Sequence, residues 1–156
     1  MRLKFLFSDT TGSPDTMNRP KGVFAVLIRM FYVSEISPAC TELDVQVLLG
    51  QAQVRNRRLD VTGMLAKSDG HFCQVLEGRP DAVDQVMDRV RRDRRHTRIR
   101  VLLEQPCDRR LFEGWAMGLV IRDDMAPEMR QLHVAGAIAG VAMNEVIGRL
   151  MARPGA

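Results

Sequence analysis

Residues 23–33 read Val-Phe-Ala-Val-Leu-Ile-Arg-Met-Phe-Tyr-Val, with one charge in eleven positions. Such a run, rich in β-branched and aromatic residues and lacking alternation, describes a central strand that needs cover on both faces. It falls well short of the roughly 20 apolar residues that cross a bilayer. At 156 residues the chain has room for one ordinary domain. About 70% of the unfolded surface can be buried at this length, so folding requires neither disulfides nor a metal. Apolar residues at 46% and charged residues at 27% exclude extended disorder.

The rest of the chain supplies that cover. Residues 1–22 are a leader whose stretch 8–22 is rich in Ser, Thr, Asp, Gly and Pro, without periodicity. Thr41 followed by Asp44 resembles a helix start, although Glu or Gln is the more usual partner at the third position. Leu43, Val47 and Val54, widened by Leu48, Leu49 and Ala52, give this helix an apolar stripe ending near Arg58. Strands are expected at 60–67 and 72–77, joined through Asp69-Gly70, a pair suited to a type I′ turn with positive φ at both central residues. Pro80 fits the first position of a second helix, buried through Val83, Val86, Met87 and Val90. Further strands follow at 97–104 and 115–121, then helices at 127–133 and 137–151. The order makes an α+β fold, a ferredoxin-like βαββαβ core with a fifth strand and C-terminal helices. The expected division is a leader over 1–22, a domain over 23–121 and a helical extension over 122–156.

The net charge of +4 hides an uneven distribution, with seven arginines between Arg89 and Arg100. They form either a phosphate-attracting patch or a solvated helix end. Cys40, Cys73 and Cys107 are odd in number, widely separated and without CxxC spacing. They predict reduced thiols of a cytoplasmic protein and no metal site.

Tyr32 is the one tyrosine, at the end of the most apolar strand, and Gln74 alternates onto a face with Phe72 and Leu76. Both are polar groups in apolar surroundings and need partners. One reading is a core hydrogen bond between them, with Asn56 capping a helix. The other is convergence of Tyr32, Gln74 and Asn56 on a planar polar ligand between sheet and helices. Residue pattern alone leaves both open.

Five stretches carry a resemblance: RMFYVS at 29–34, RNRRLDVTG at 55–63, SDGHFCQVLEG at 68–78, RDRRH at 92–96 and WAMGL at 115–119. In this order and spacing, over residues 23–120, they resemble the BLUF domain, the blue-light sensor that uses FAD. The resemblance implies non-covalent FAD, with FMN or riboflavin as substitutes. It makes Tyr32 the electron and proton donor and Gln74 the amide between that tyrosine and the flavin. Asn56 would bond the isoalloxazine carbonyl edge. Asp93, Arg95 and His96 would lie on the ribityl and phosphate side, and Trp115 and Met117 would report the signal.

Arg55 departs from the Asn or His often found before this asparagine, and is expected to touch the ring edge. Nothing resembles a nucleophile–base pair, so the chain is read as a receptor and not an enzyme. It is expected to signal to a separate effector protein and to form a homo-oligomer through Met-rich helices. The alternatives are a ferredoxin-like RNA-binding module, which lacks the spaced aromatics that stack bases, and a flavin-binding relic that no longer switches.

Overall fold

The computed structural model describes residues 26–136 and 140–152; the expected leader and the start of the first expected strand lie outside them. Five strands form one sheet in the order β4-β1-β3-β2-β5. These are β1 (Leu27–Ile36), β2 (Thr62–Ser68), β3 (His71–Gly78), β4 (His96–Cys107) and β5 (Gly118–Ile121). All neighbours are antiparallel except β2 and β5, which run parallel. This is the expected ferredoxin-like core with a fifth strand added beyond β2.

β1 is covered on both faces, as its composition demands. On one face α1 (Glu42–Arg58) and α2 (Pro80–Arg92) pack on Met30, Tyr32, Phe72 and Leu76. On the other, α3 (Ala126–Ala135) and α4 (Gly140–Met151) cover Phe31, Val33, Cys73 and Val75 with Met129, Leu132, Met143 and Leu150. The apolar residues of the extension thus share a core with the sheet. Arg122 fastens them: its guanidinium donates to the Arg149 and Ala152 carbonyls at the end of α4 and pairs with Asp124.

Local chemistry sets the element ends. Thr41 and Asp44 form a reciprocal capping box, Asp44 N–H donating to Thr41 Oγ1 and Thr41 N–H to Asp44 Oδ2. Aspartate reaches here despite its shorter side chain. The buried face of α1, however, is Val45, Leu48, Ala52 and Asn56, whereas Leu43, Val47 and Val54 are exposed. Apolar residues surround this helix, so periodicity could not choose a face. The tertiary partners of Asn56 did.

The hairpin forms at Asp69-Gly70, Ser68 pairing with His71, but it is not type I′. Gly70 is at φ +78° while Asp69 is not among the residues with positive φ, the φ signs of a type II turn. The fifth strand begins at Gly118, not at Trp115. Gly114 at φ +80° and a bond from Trp115 N–H to the Phe112 carbonyl turn the chain there.

A buried ion pair shapes that loop. Arg29 and Glu77, cross-strand partners, meet at 2.9 Å. Glu77 also accepts from the Leu111 and Phe112 N–H groups, while Arg29 donates to the Arg109 carbonyl. The buried pair thereby holds residues 109–112, which lead to Trp115 and Met117.

Candidate functional site

Register places Tyr32 directly opposite Gln74, so two polar side chains on neighbouring strands point into the same helix-covered layer. The Tyr32 hydroxyl donates to Gln74 Oε1. The Gln74 amide Nε2 donates onward to Met117 Sδ at 3.1 Å. All three residues are buried. Burial pushes the Tyr32 phenol well above its ordinary range, with the nearby Arg55 cation opposing, so at neutral pH the phenol keeps its proton.

The loop carrying Met117 is tied to α1 by two amides. Asn56 Nδ2 donates to the Ala116 carbonyl at 2.9 Å and Gln53 Nε2 to the Met117 carbonyl at 3.0 Å. Trp115 is left outside, 48% exposed, against 3% for Met117. Residues 115–117 precede β5, so strand alternation does not put the two side chains on one face. The Trp115 ring instead stands where a side chain on Gly118 would be, its edge 2.6 Å from a Cβ built there. Gly118 is therefore required for that ring position.

Beside Gln74 a narrow cleft lies between α1 and α2, its cavity volume about 20 Å³. Arg55, Gln74, Asp93, Arg95 and His96, all picked out in the sequence, line it. Tyr32 lies behind Gln74, and Asn56 lies further along α1. The cleft continues outward into a wider groove walled by Val54, Arg55, Arg58, Leu59 and Arg89. Val54, exposed and apolar, thus faces the groove and not a core. Gln51 and Arg89 line the cleft too but were not singled out. Gln51 precedes Arg55 by one helical turn, a spacing that could have found it.

Two observations fit these residues to a flavin. Among the described residues, Asn56 Oδ1 and Arg55 Nε are buried without a hydrogen-bond partner, an acceptor and a donor of the kinds that the imide edge of a flavin pairs with. Burial and the neighbouring Arg89 cation also lower the Arg55 guanidinium, so an anionic group entering the groove relieves a crowding of positive charge. Arg95 is less free. It forks onto Asp93, at 2.8 and 2.6 Å, and reaches the Asp44 carbonyl and Gln51 across to α1. Desolvation pushes His96 down to about 4; the ring is neutral, with Nδ1 2.9 Å from Ser34 Oγ.

Comparison with known proteins gives the same reading. Residues 27–118 match the family model described as BLUF, sensors of blue-light using FAD. The chain is 33% identical over 92 residues to photoactivated adenylate cyclase subunit beta of Euglena gracilis, covering 58% of this chain and 11% of that subunit. It therefore spans about a ninth of that relative. Among solved structures, the dark state of BlrB, a BLUF protein, superposes with a TM-score of 0.68 at 28% identity, covering 81% of this chain and 96% of BlrB. A bacterial light-regulated adenylyl cyclase superposes with a TM-score of 0.62 at 26% identity, over 80% of this chain and 37% of that one.

Proposed function

Because the chain belongs to the BLUF family, sensors of blue light that use FAD, we propose that Tyr32, Gln74 and Met117 form its light-responsive relay. The carrying observation is the continuous buried chain of hydrogen bonds from the Tyr32 hydroxyl through the Gln74 amide to Met117 Sδ, flanked by the cleft between α1 and α2. Arg55, Asn56 and Gln74 would hold the ring system. Arg58 and Arg89 suit the diphosphate, and Asp93, Arg95 and His96 close the inner wall. Bound flavin supplies a chromophore that blue light turns into a strong oxidant.

The protein's part follows from its own groups. Tyr32 is the one phenol in the chain, and its proton already points at Gln74. Glutamine suits a switch because its amide carries a donor at one end and an acceptor at the other. Reversing it turns Nε2 toward the Tyr32 oxygen and sets Oε1 against Met117 Sδ, two acceptors with no proton between them. Met117 then loses its tie, and the loop at 115–118 is left to the Asn56 and Gln53 amides. Each bond exchanged is worth about 1 kcal/mol net, enough to move a two-state population several-fold without unfolding it.

The output is proposed to pass by contact to an effector protein, with the chain itself doing no catalysis. No helix among the described residues is long and apolar enough to cross a membrane. The RNA-binding alternative loses its platform, since helices cover both faces of the sheet.

The test is one absorption spectrum of the FAD-loaded protein before and after blue light. The flavin band should shift slightly to the red and return in the dark. A yellow protein whose band does not move would establish the non-switching relic instead. A colourless protein that cannot be reconstituted with FAD would remove the proposal altogether.

A further inference from the structure

The sequence contains three histidines, His71, His96 and His133. Two of them converge on the sheet face opposite the cleft, at the end covered by α3. His71 opens β3, its cross-strand partner on β1 is Glu35, and His133 descends from α3. One ligand-type atom from each lies within 4.8 Å of the others, and the two imidazoles meet edge to face with centroids 5.5 Å apart.

The hydrogen-bond inventory of this cluster does not close. His133 Nε2 lies 2.6 Å from the Arg98 carbonyl, an acceptor only, so Nε2 carries the hydrogen. Its Nδ1 lies 3.6 Å from Glu35 Oε1, longer than an ordinary hydrogen bond. His71, 8% exposed, holds its Nδ1 buried with no hydrogen-bond partner among the described residues. A carbonyl fixing one imidazole nitrogen while the other points inward is the usual outer support of a metal-ligating histidine.

We propose that Glu35, His71 and His133 bind a divalent transition-metal ion of the zinc class, which clamps α3 to the β1–β3 end of the sheet. Two histidines and a carboxylate are an established donor set for zinc, leaving a fourth position for water. At ligand distances of about 2.0–2.2 Å, atoms on one tetrahedral ion lie roughly 3.3 Å apart, so Glu35 and His133 are already near the required spacing. Arg98 also holds Glu35, at 3.0 Å, and Glu35 must share its carboxylate or exchange that exposed arginine for the ion. The cysteine pattern could not reveal this site, because its ligands come from three separate elements with no local spacing.

The experiment is calorimetric titration of Zn²⁺ into tag-free, FAD-loaded protein, repeated on Glu35→Gln, His133→Ala and a Cys40→Ala/Cys107→Ala double variant. Expected are one ion per chain, a raised melting temperature, and unchanged binding in the cysteine variant. Affinity should fall at least ten-fold in Glu35→Gln and His133→Ala, with the thermal gain lost. If His133→Ala fails to fold, Glu35→Gln alone decides, since it is partly exposed and nearly isosteric. No binding, full binding in Glu35→Gln, or binding lost with the two cysteines would each overturn the site.

Discussion

The pairing of Tyr32 with Gln74 is best tested by a thermodynamic cycle. Tyr32→Phe removes the hydroxyl and leaves Gln74 Oε1 in a buried position with no donor. Such an orphaned group costs about 1–3 kcal/mol. Gln74→Leu has the mirror effect: the Tyr32 hydroxyl, wholly buried, loses its acceptor, at a similar cost. In the double variant neither partner remains to be orphaned, and an apolar pair of similar shape is nearly neutral. The double variant should therefore cost less than the sum of the singles by on the order of 1–3 kcal/mol. For a chain of this size each kcal/mol moves the melting temperature by about 2–4 °C. Urea unfolding of each protein, with FAD held at the same multiple of its own Kd, measures the four corners. All three variants should bind flavin and lose the light-induced shift. Additivity of the two singles to within about 0.5 kcal/mol would refute the reasoning, because uncoupled residues cannot form the relay.

Two further outcomes follow from buried charge and burial-shifted acidity. Glu77→Gln leaves Arg29 as a buried cation without a counter-charge and should destabilise the fold by about 3–5 kcal/mol; an effect below 1 kcal/mol in urea unfolding would mean the pair does not hold the loop at 109–112. His96 has an ordinary value of 6.5 and a folded value of about 4, chiefly through desolvation. The unfolded chain takes up this proton first, so stability should fall as pH drops through 6.5 and level off near 4. Roughly 3 kcal/mol is involved at about 1.4 kcal/mol per pH unit. His96→Gln should flatten the profile by that amount between pH 7 and 4, and an unaltered slope would show that the buried imidazole is not the group responsible.

The residues themselves were enough to fix the element order, the two-sided cover of β1 and the adjacency of Tyr32 and Gln74. The reason is local: alternation in β3, the Asp69-Gly70 turn and Pro80 at a helix start act over a few residues, and a sheet with β1 beside β3 brings the two polar side chains together. Matters of rotation and long-range contact had to wait for the folded chain. The buried face of α1 turned on Asn56 reaching Ala116, sixty positions away, and the short β5 turned on a glycine turn and on Glu77 seizing the backbone at 111–112. The Glu35–His71–His133 cluster depended on α3 folding back over the sheet. No window of neighbouring residues contains such partners, so their hydrogen bonds and charges become legible when the strands and helices are packed, and not before.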